Sequence, residues 1–184
     1  MGKQHTLITL DDIKTNPTAT AYIQKANDNL GSLGFTEHGF RHNNLVADTA
    51  YRILIDLGYS LREAELAAIA GYLHDIGNVV ERTNHYTIGA LIAMDILKEM
   101  GMDKNEIAEI ASAIGNHDEQ HGHPVSNISA AVILADKSDV HRSRVRNRDL
   151  ASFDIHDRVN YAAEESALEL DPKRRIITLR LQID

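Results

Sequence analysis

Four polar residues stand where a helix should offer only hydrocarbon. His42, His85, His117 and Asp136 each lie three and four positions from small or apolar neighbours, the spacing that puts side chains on one helix face. Leu45 and Val46 follow His42, Ile88 and Gly89 follow His85, Ala113 and Ile114 precede His117, and Val132 and Ile133 precede Asp136. A carboxylate that enters a core unpaired is prohibitively costly. Asp136, at the end of Ala-Val-Ile-Leu-Ala-Asp, therefore requires something cationic. His74 and Asp75 are adjacent, and neighbouring side chains diverge by about 100° in a continuous helix. At a helix terminus the second can swing round, and the following Ile-Gly-Asn permits it. Each residue alone has a plainer explanation, as a hydrogen-bonded core histidine or a carboxylate paired with a buried arginine or lysine. Their convergence favours a buried metal ion, which satisfies ligands from four helices at once. The chain has no cysteine. Any metal must then be held by imidazole and carboxylate, a donor set that suits Mn, Fe, Co, Ni or Zn, and Mg where oxygen ligands dominate.

A basic run begins one residue after Asp136: Lys137, Arg142, Arg144, Arg146 and Arg148, opposed only by Asp139. On a chain of net charge −8 this concentration reads as a phosphate clamp. Lys137, Arg142 and Arg144, with Arg41 beside His42, are the expected substrate-binding residues; Arg146 and Arg148 fit an ordinary solvated loop equally well. His5, His38, His141 and His156 have no ligand-like placement. His121 and His123 fall in the loop after His117, at the mouth of any cleft there. No serine nucleophile stands out.

Helices must position these groups. Apolar periodicity and stop signals predict helices over about 18–33, 37–57, 61–74, 84–100, 103–116, 127–140 and 154–165. Gly34, Gly58 and Gly101 act as stops, and Ser60 with Glu63 forms a capping box. Residues 1–17 read as an irregular lead-in. The tail changes period: Ala167–Leu170, a turn at Asp171-Pro172-Lys173, then alternation over Ile176–Ile183 predict a β-hairpin. The expected division is a helical domain over 1–165 and a hairpin appendage over 166–184. The terminal strand is an exposed edge unless it is covered or paired, for instance with a second subunit.

Length of 184 residues fits one domain. The N-terminus does not read as a signal peptide, and no stretch approaches the roughly 20 apolar residues of a membrane span. The expected address is cytoplasmic, with no membrane partner. The acidic balance argues against polymeric nucleic acid, but not against a small phosphorylated ligand in a local basic pocket.

His42, then Leu-His74-Asp75-Ile-Gly, then Ala-Asp136-Lys137, in that order and spacing, resembles the HD-domain metal-dependent phosphohydrolase superfamily. His85-x-x-x-Gly-Ala and Ile-Gly-Asn-His117 are similar to the extra histidines of its small dinuclear members. The resemblance spans about residues 37–140. It implies an all-α helical bundle and one or two divalent ions. His42, His74, Asp75 and Asp136 would hold the first ion, and Asp75 would bridge to a second on His85 and His117, with Asp118 or His121 completing that site. Cyclic-dinucleotide phosphodiesterases of the superfamily have two adjacent histidines where this chain has His117-Asp118, and their Gly-Tyr-Pro is replaced by Gly122-His123-Pro124. The implied activity is attack by a metal-activated water on a phosphomono- or phosphodiester of a nucleotide-like small molecule, with Asp75 and Lys137 as catalytic residues. The alternatives are a diiron oxygenase built on the same ligands and a non-catalytic metal-binding sensor.

Overall fold

The computed structural model describes residues 7–184, so His5 lies outside the described residues. The described residues fold as eight α-helices followed by a two-stranded hairpin. These are α1 (Leu10–Thr15), α2 (Pro17–Ser32), α3 (Phe40–Asp56), α4 (Leu61–Leu73), α5 (His85–Glu99), α6 (Lys104–Gly115), α7 (Asn127–Ser138) and α8 (Ile155–Ala162), then β1 (Ala163–Asp171) and β2 (Ile176–Ile183). Short 3-10 turns cover Ile76–Val79, Arg142–Arg144 and Leu150–Ser152. The expected all-α class with a C-terminal hairpin is what the structure shows.

α4 is the axle. Its residues are small and apolar, from Ala64 through Ala67, Ala68 and Ala70 to Leu73, and they are buried on every side, as expected of a helix packed all round. Gly71 lets α3 come close, since a Cβ there would stand 3.1–3.2 Å from Val46 and the Ala47 backbone. The predicted Ser60–Glu63 capping box starts α4, and Asp103 caps α6 through the Asn105 N–H. Gly34, Gly58 and Gly101 all take positive φ at helix ends, a conformation that costs glycine little.

Several boundaries differ from the sequence expectation. The lead-in contains α1, because Thr9 and Asp12 form a capping box that shields a turn too short to show apolar periodicity. α3 starts at Phe40 rather than at 37, since Glu37 folds its carboxylate onto the Gly39 N–H at 2.6 Å and holds the chain extended there. α7 stops at Ser138, and Asp139 leaves the helix with ψ 73°. α8 gives way to β1 at Ala163, so the division expected after residue 165 falls within this strand. The two strands are antiparallel, with Leu168 opposite Leu179 and Leu170 opposite Ile177. Leu168 and Leu170 pack on the helical core, and the Ser166 hydroxyl donates to the Ser138 carbonyl at 2.6 Å.

The 3-10 turn after α4 touches the start of α5 through backbone. A Cβ on Gly77 would overlap the His85 carbonyl and come within 2.5 Å of the Gly89 nitrogen. Gly77→Ala should therefore force α5 outward and destabilise the protein by about 1–3 kcal/mol, read as a lower urea midpoint. An unchanged midpoint would show that this contact yields freely.

Candidate metal centre

The C-terminal end of α4 delivers the central pair. His74 caps α4 in helical geometry, and Asp75 follows at φ −95°, ψ 2° as the chain tightens into the 3-10 turn. The break lets both side chains face one point. His42 arrives from α3, Asp136 from the last turn of α7, His85 from the first residue of α5, and His117 from just beyond α6. All six side chains are buried.

Two sets of ligand atoms result. In the first, His42 Nε2 lies 3.3 Å from His74 Nε2, 3.3 Å from Asp136 Oδ1 and 3.7 Å from Asp75 Oδ2. His74 Nε2 lies 3.3 Å from Asp75 Oδ2 and 3.6 Å from Asp136 Oδ1. In the second, His85 Nε2 lies 3.1 Å from His117 Nε2, and these stand 3.6 and 4.0 Å from Asp75 Oδ1. Ligands bonded to one ion at about 2.0–2.2 Å stand roughly 3.0–3.5 Å apart. Asp75 thus turns one oxygen to each set.

The tautomers decide what the cluster can hold. Each Nδ1 faces an oxygen acceptor: Asp139 Oδ2 for His42 at 2.6 Å, and the Gly71, Arg82 and Ile114 carbonyls for His74, His85 and His117 at 2.7, 2.8 and 2.7 Å. Carbonyls and carboxylates only accept, so the ring protons belong on Nδ1 and the Nε2 lone pairs point inward. Four lone pairs and two carboxylates then confront one another with little but acceptors between them. A cation resolves this, and histidines that ligate metals are oriented through their other nitrogen in this way. The donor set fits one or two divalent ions.

In the metal-free protein a proton takes the cation's place. Burial pushes the His74 imidazole down, but the Asp75 and Asp136 carboxylates outweigh it and hold the group up at about 10. Burial also tends to raise both carboxyls, and the facing histidines hold them well below the usual range. Buried His117, facing His74, falls to about 4.

Asp139 is the residue that sequence reasoning missed. Its carboxylate accepts a hydrogen bond from His42 Nδ1–H, accepts two more from Arg41 at 3.2 and 2.8 Å, and lies 3.5 Å from Arg144 Nε. Arg144 is buried and also donates to the Asp139 carbonyl at 2.8 Å. His38, expected to be unplaced, bonds the Thr36 carbonyl through Nδ1, and burial pushes it down to about 3. His38 and His156 both line the cleft of about 290 Å³ that opens over the cluster.

The expected phosphate clamp divides. Lys137 and Arg144 line the cleft, joined by Arg82. Lys137 Nζ lies 2.8 Å from Asp136 Oδ2 and 2.5 Å from Glu119. Arg142 points elsewhere, to Glu164 at 3.2 Å and Asp184 at 2.7 Å. Arg41 is engaged by Asp139 and Glu37 and lines a different depression. Arg146 is bound to Asn27. Long side chains near so many carboxylates go to the nearest one. Asp118 lines the cleft and binds His121 at 2.9 Å, and His121 stacks on Tyr86.

The HD domain family model matches residues 39–171, a span that holds every residue of the cluster. The chain belongs to the HD-domain family. Among proteins similar to it, the uncharacterized protein MJ1020 of Methanocaldococcus jannaschii is 30% identical over 159 residues, covering 74% of this chain and 61% of the relative. Ribonuclease Y of Lawsonia intracellularis is 33% identical over 117 residues, 60% of this chain but 20% of the relative. The chain thus spans about three-fifths and one-fifth of these two proteins. A solved structure of a predicted HD superfamily hydrolase from an uncultured Thermotogales bacterium superposes with a TM-score of 0.55 at 26% identity, over 72% of this chain and 68% of the other. No helix among the described residues of this HD protein is long and apolar enough to cross a membrane.

Two outcomes test the centre. Replacing the proton on His74 with a divalent ion releases that proton, so raising the pH removes the competitor and tightens binding. Apparent affinity for Mn should rise between about pH 6 and pH 8, with proton release measured by titration calorimetry in buffers of different ionisation enthalpy; a flat profile would contradict the arrangement. Asp139→Ala should weaken metal binding by about 10–100-fold while leaving the helical circular dichroism intact, whereas unchanged affinity would show that His42 needs no orienting carboxylate.

Proposed function

We propose that this chain is a metal-dependent phosphohydrolase cleaving a phosphomono- or phosphodiester of a small nucleotide-like molecule. One observation carries the reading: the two oxygens of Asp75 face two separate histidine sets, 3.3 Å from His74 on one side and 3.6 Å from His85 on the other. Divalent ions held by His42, His74, Asp75 and Asp136, and by His85 and His117, would supply a nucleophilic water at neutral pH and offset charge on phosphoryl oxygens. Family membership and a neighbour described as a hydrolase support hydrolysis. A relative that is a ribonuclease supports phosphoester chemistry.

The protein's own residues complete the reading. Lys137, held by Asp136 and Glu119 on the lining of the cleft, presents its ammonium beside the cluster. It is the group best placed to meet a phosphoryl oxygen or the departing oxygen. Burial tends to lower it, and Asp136 and Glu119 more than compensate, so it is charged at neutral pH. Arg82 and Arg144 give further cations on the lining. Asp118, Glu119, Asp154 and Asp157 line the same cleft, so its surface mixes charges rather than forming a basic track. That mixture, with the net charge of −8, favours a compact phosphate ester over polymeric nucleic acid. Asp75 and Lys137 are the residues assigned to catalysis, with a soluble intracellular setting and a small phosphorylated substrate as part of the same proposal.

The test is a metal-by-substrate screen of the purified protein: Mn, Fe(II), Co, Ni, Zn and Mg against an aryl phosphodiester, nucleotide mono- and diesters, and a short RNA. Hydrolysis should require added metal and should be abolished in Asp75→Asn. Lys137→Ala should raise KM or lower kcat, with a loss of about 100-fold or more in kcat if its ammonium meets the departing oxygen, and with metal content unchanged. Oxygen uptake with Fe(II) in place of hydrolysis would identify an oxygenase instead. Full metal loading without turnover would leave a sensor.

A further inference from the structure

The hairpin carries an apolar face that the helical body does not cover. Residues directly opposite in an antiparallel pair share a face, so Ile177, Leu179 and Leu181 lie on the same side as Leu170, Leu168 and Ser166. That side faces the body: Leu168 and Leu170 pack on the core and Ser166 bonds Ser138. Yet Ile177, Leu179 and Leu181 remain 48%, 42% and 36% exposed, because the body reaches only as far as β1. β2 projects past it and is exposed along its whole length. Its outer edge pairs with no strand among the described residues. Free edges are usually blunted by lysine, proline or a bulge. Within β2 the one charge is Arg180, and Glu169 on β1 holds it at 3.0 Å.

We infer that β2 is the contact strand of a homodimer, pairing antiparallel with β2 of a second copy about a two-fold axis at Leu179 to give a four-stranded sheet ordered β1-β2-β2-β1. The strand's own sequence supports a copy of itself as the occupant. With Leu179 on the axis, Leu179 meets Leu179 and Ile177 meets Leu181, so the middle of the inner face sets apolar residues against apolar residues, while Ile183 at the strand's end comes opposite Arg175 in the turn. On the outer face Thr178 meets Arg180, and no like charges are opposed. Just beyond the strand ends, Arg174 in the basic turn comes opposite Asp184 of the second copy, where each would exchange a partner within the chain, Asp171 for Arg174 and Arg142 for Asp184. Moving the axis to Arg180 would set two guanidinium groups against each other, which is destabilising. A one-residue slip would place Leu179 against Arg180 and turn one copy's apolar face outward. A two-fold axis perpendicular to the sheet keeps both helical bodies on one side of it. The six apolar side chains then form the floor between the two bodies, removed from bulk water.

The absence of cysteine makes the register directly testable. In the full chain, Leu179→Cys should form an interchain disulfide under mild oxidation. Ile177→Cys alone should not, whereas an equimolar mixture of Ile177→Cys and Leu181→Cys proteins should crosslink to each other. Sedimentation should show a dimer for the unmodified protein and a monomer for Leu179→Arg, a substitution at an exposed position whose folding is verified by circular dichroism. Thr178→Pro, which removes a donor from the strand, should also give a monomer. A protein that sediments as a monomer at all concentrations overturns the inference. So does a dimer that survives both substitutions, or one whose Leu179→Cys variant fails to crosslink.

Discussion

The structure is organised around an excess of hydrogen-bond acceptors in its interior. Four imidazoles donate their Nδ1–H groups to outlying oxygens, and their remaining lone pairs meet two carboxylates in a buried cluster onto which the cleft opens. A buried polar group without a partner costs free energy, and a buried unpaired charge costs far more. Six such groups, gathered from five helices and the segments at their ends, cannot satisfy one another. The bundle tolerates them because one class of guest, a cation, satisfies them together. Helices α3 to α7 are arranged so that one end of α4 lies at the centre of that demand.

Asp139 shows how the demand is passed outward. It accepts the hydrogen bond from His42 Nδ1–H and is itself held by Arg41 and Arg144, so its own buried charge is matched twice. Burial tends to raise its carboxyl, and those contacts drive it far below the ordinary carboxylate range. Arg144 in turn donates to the backbone of Asp139 and Glu37. The loop before α3 and the loop after α7 are thereby fastened across the same carboxylate. The two arginines are thus bracing for a histidine rather than free cations for a ligand, though Arg144 also borders the cleft.

What could be read from the sequence follows from which physical rules are local. His42, His85, His117 and Asp136 were legible because helix periodicity alone puts them on apolar faces, and His74-Asp75 because a glycine turn follows. The helices of the body were legible for the same reason, within a few residues at each end. α1 was not, since six residues carry too little periodicity. The start of β1 was hidden because Ala163 to Ser166 have a composition that helices share. Arg142 and Arg41 were misleading for a different reason. A long charged side chain chooses among carboxylates that are distant in sequence, and Asp184, Glu164 and Asp139 become its neighbours only after folding. Asp139 itself left a weak signal, an acidic residue inside a basic run three positions after a ligand, but its helix ends at Ser138 and periodicity no longer says where it points.

The spacing between the two ligand sets depends on something side chains do not control. Asp75 and His85 are brought together by contact between two pieces of backbone, the turn at Gly77 and the first turn of α5 at His85 and Gly89. Side-chain packing can adjust by changing rotamers, but backbone in contact with backbone has no such freedom. The turn is braced from its other side as well: the Asn29 amide donates to the carbonyls of Asn78 and Val79, and the Asn78 amide donates to Asp75 Oδ1. Asp75 is therefore fixed by its neighbours before any ligand arrives, with its two oxygens directed to opposite sides. Two glycines in the Asp-Ile-Gly and His-x-x-x-Gly segments set the distance across which a single carboxylate can serve both histidine pairs. A methyl group at the first of them would widen that distance while leaving all six residues of the cluster in place.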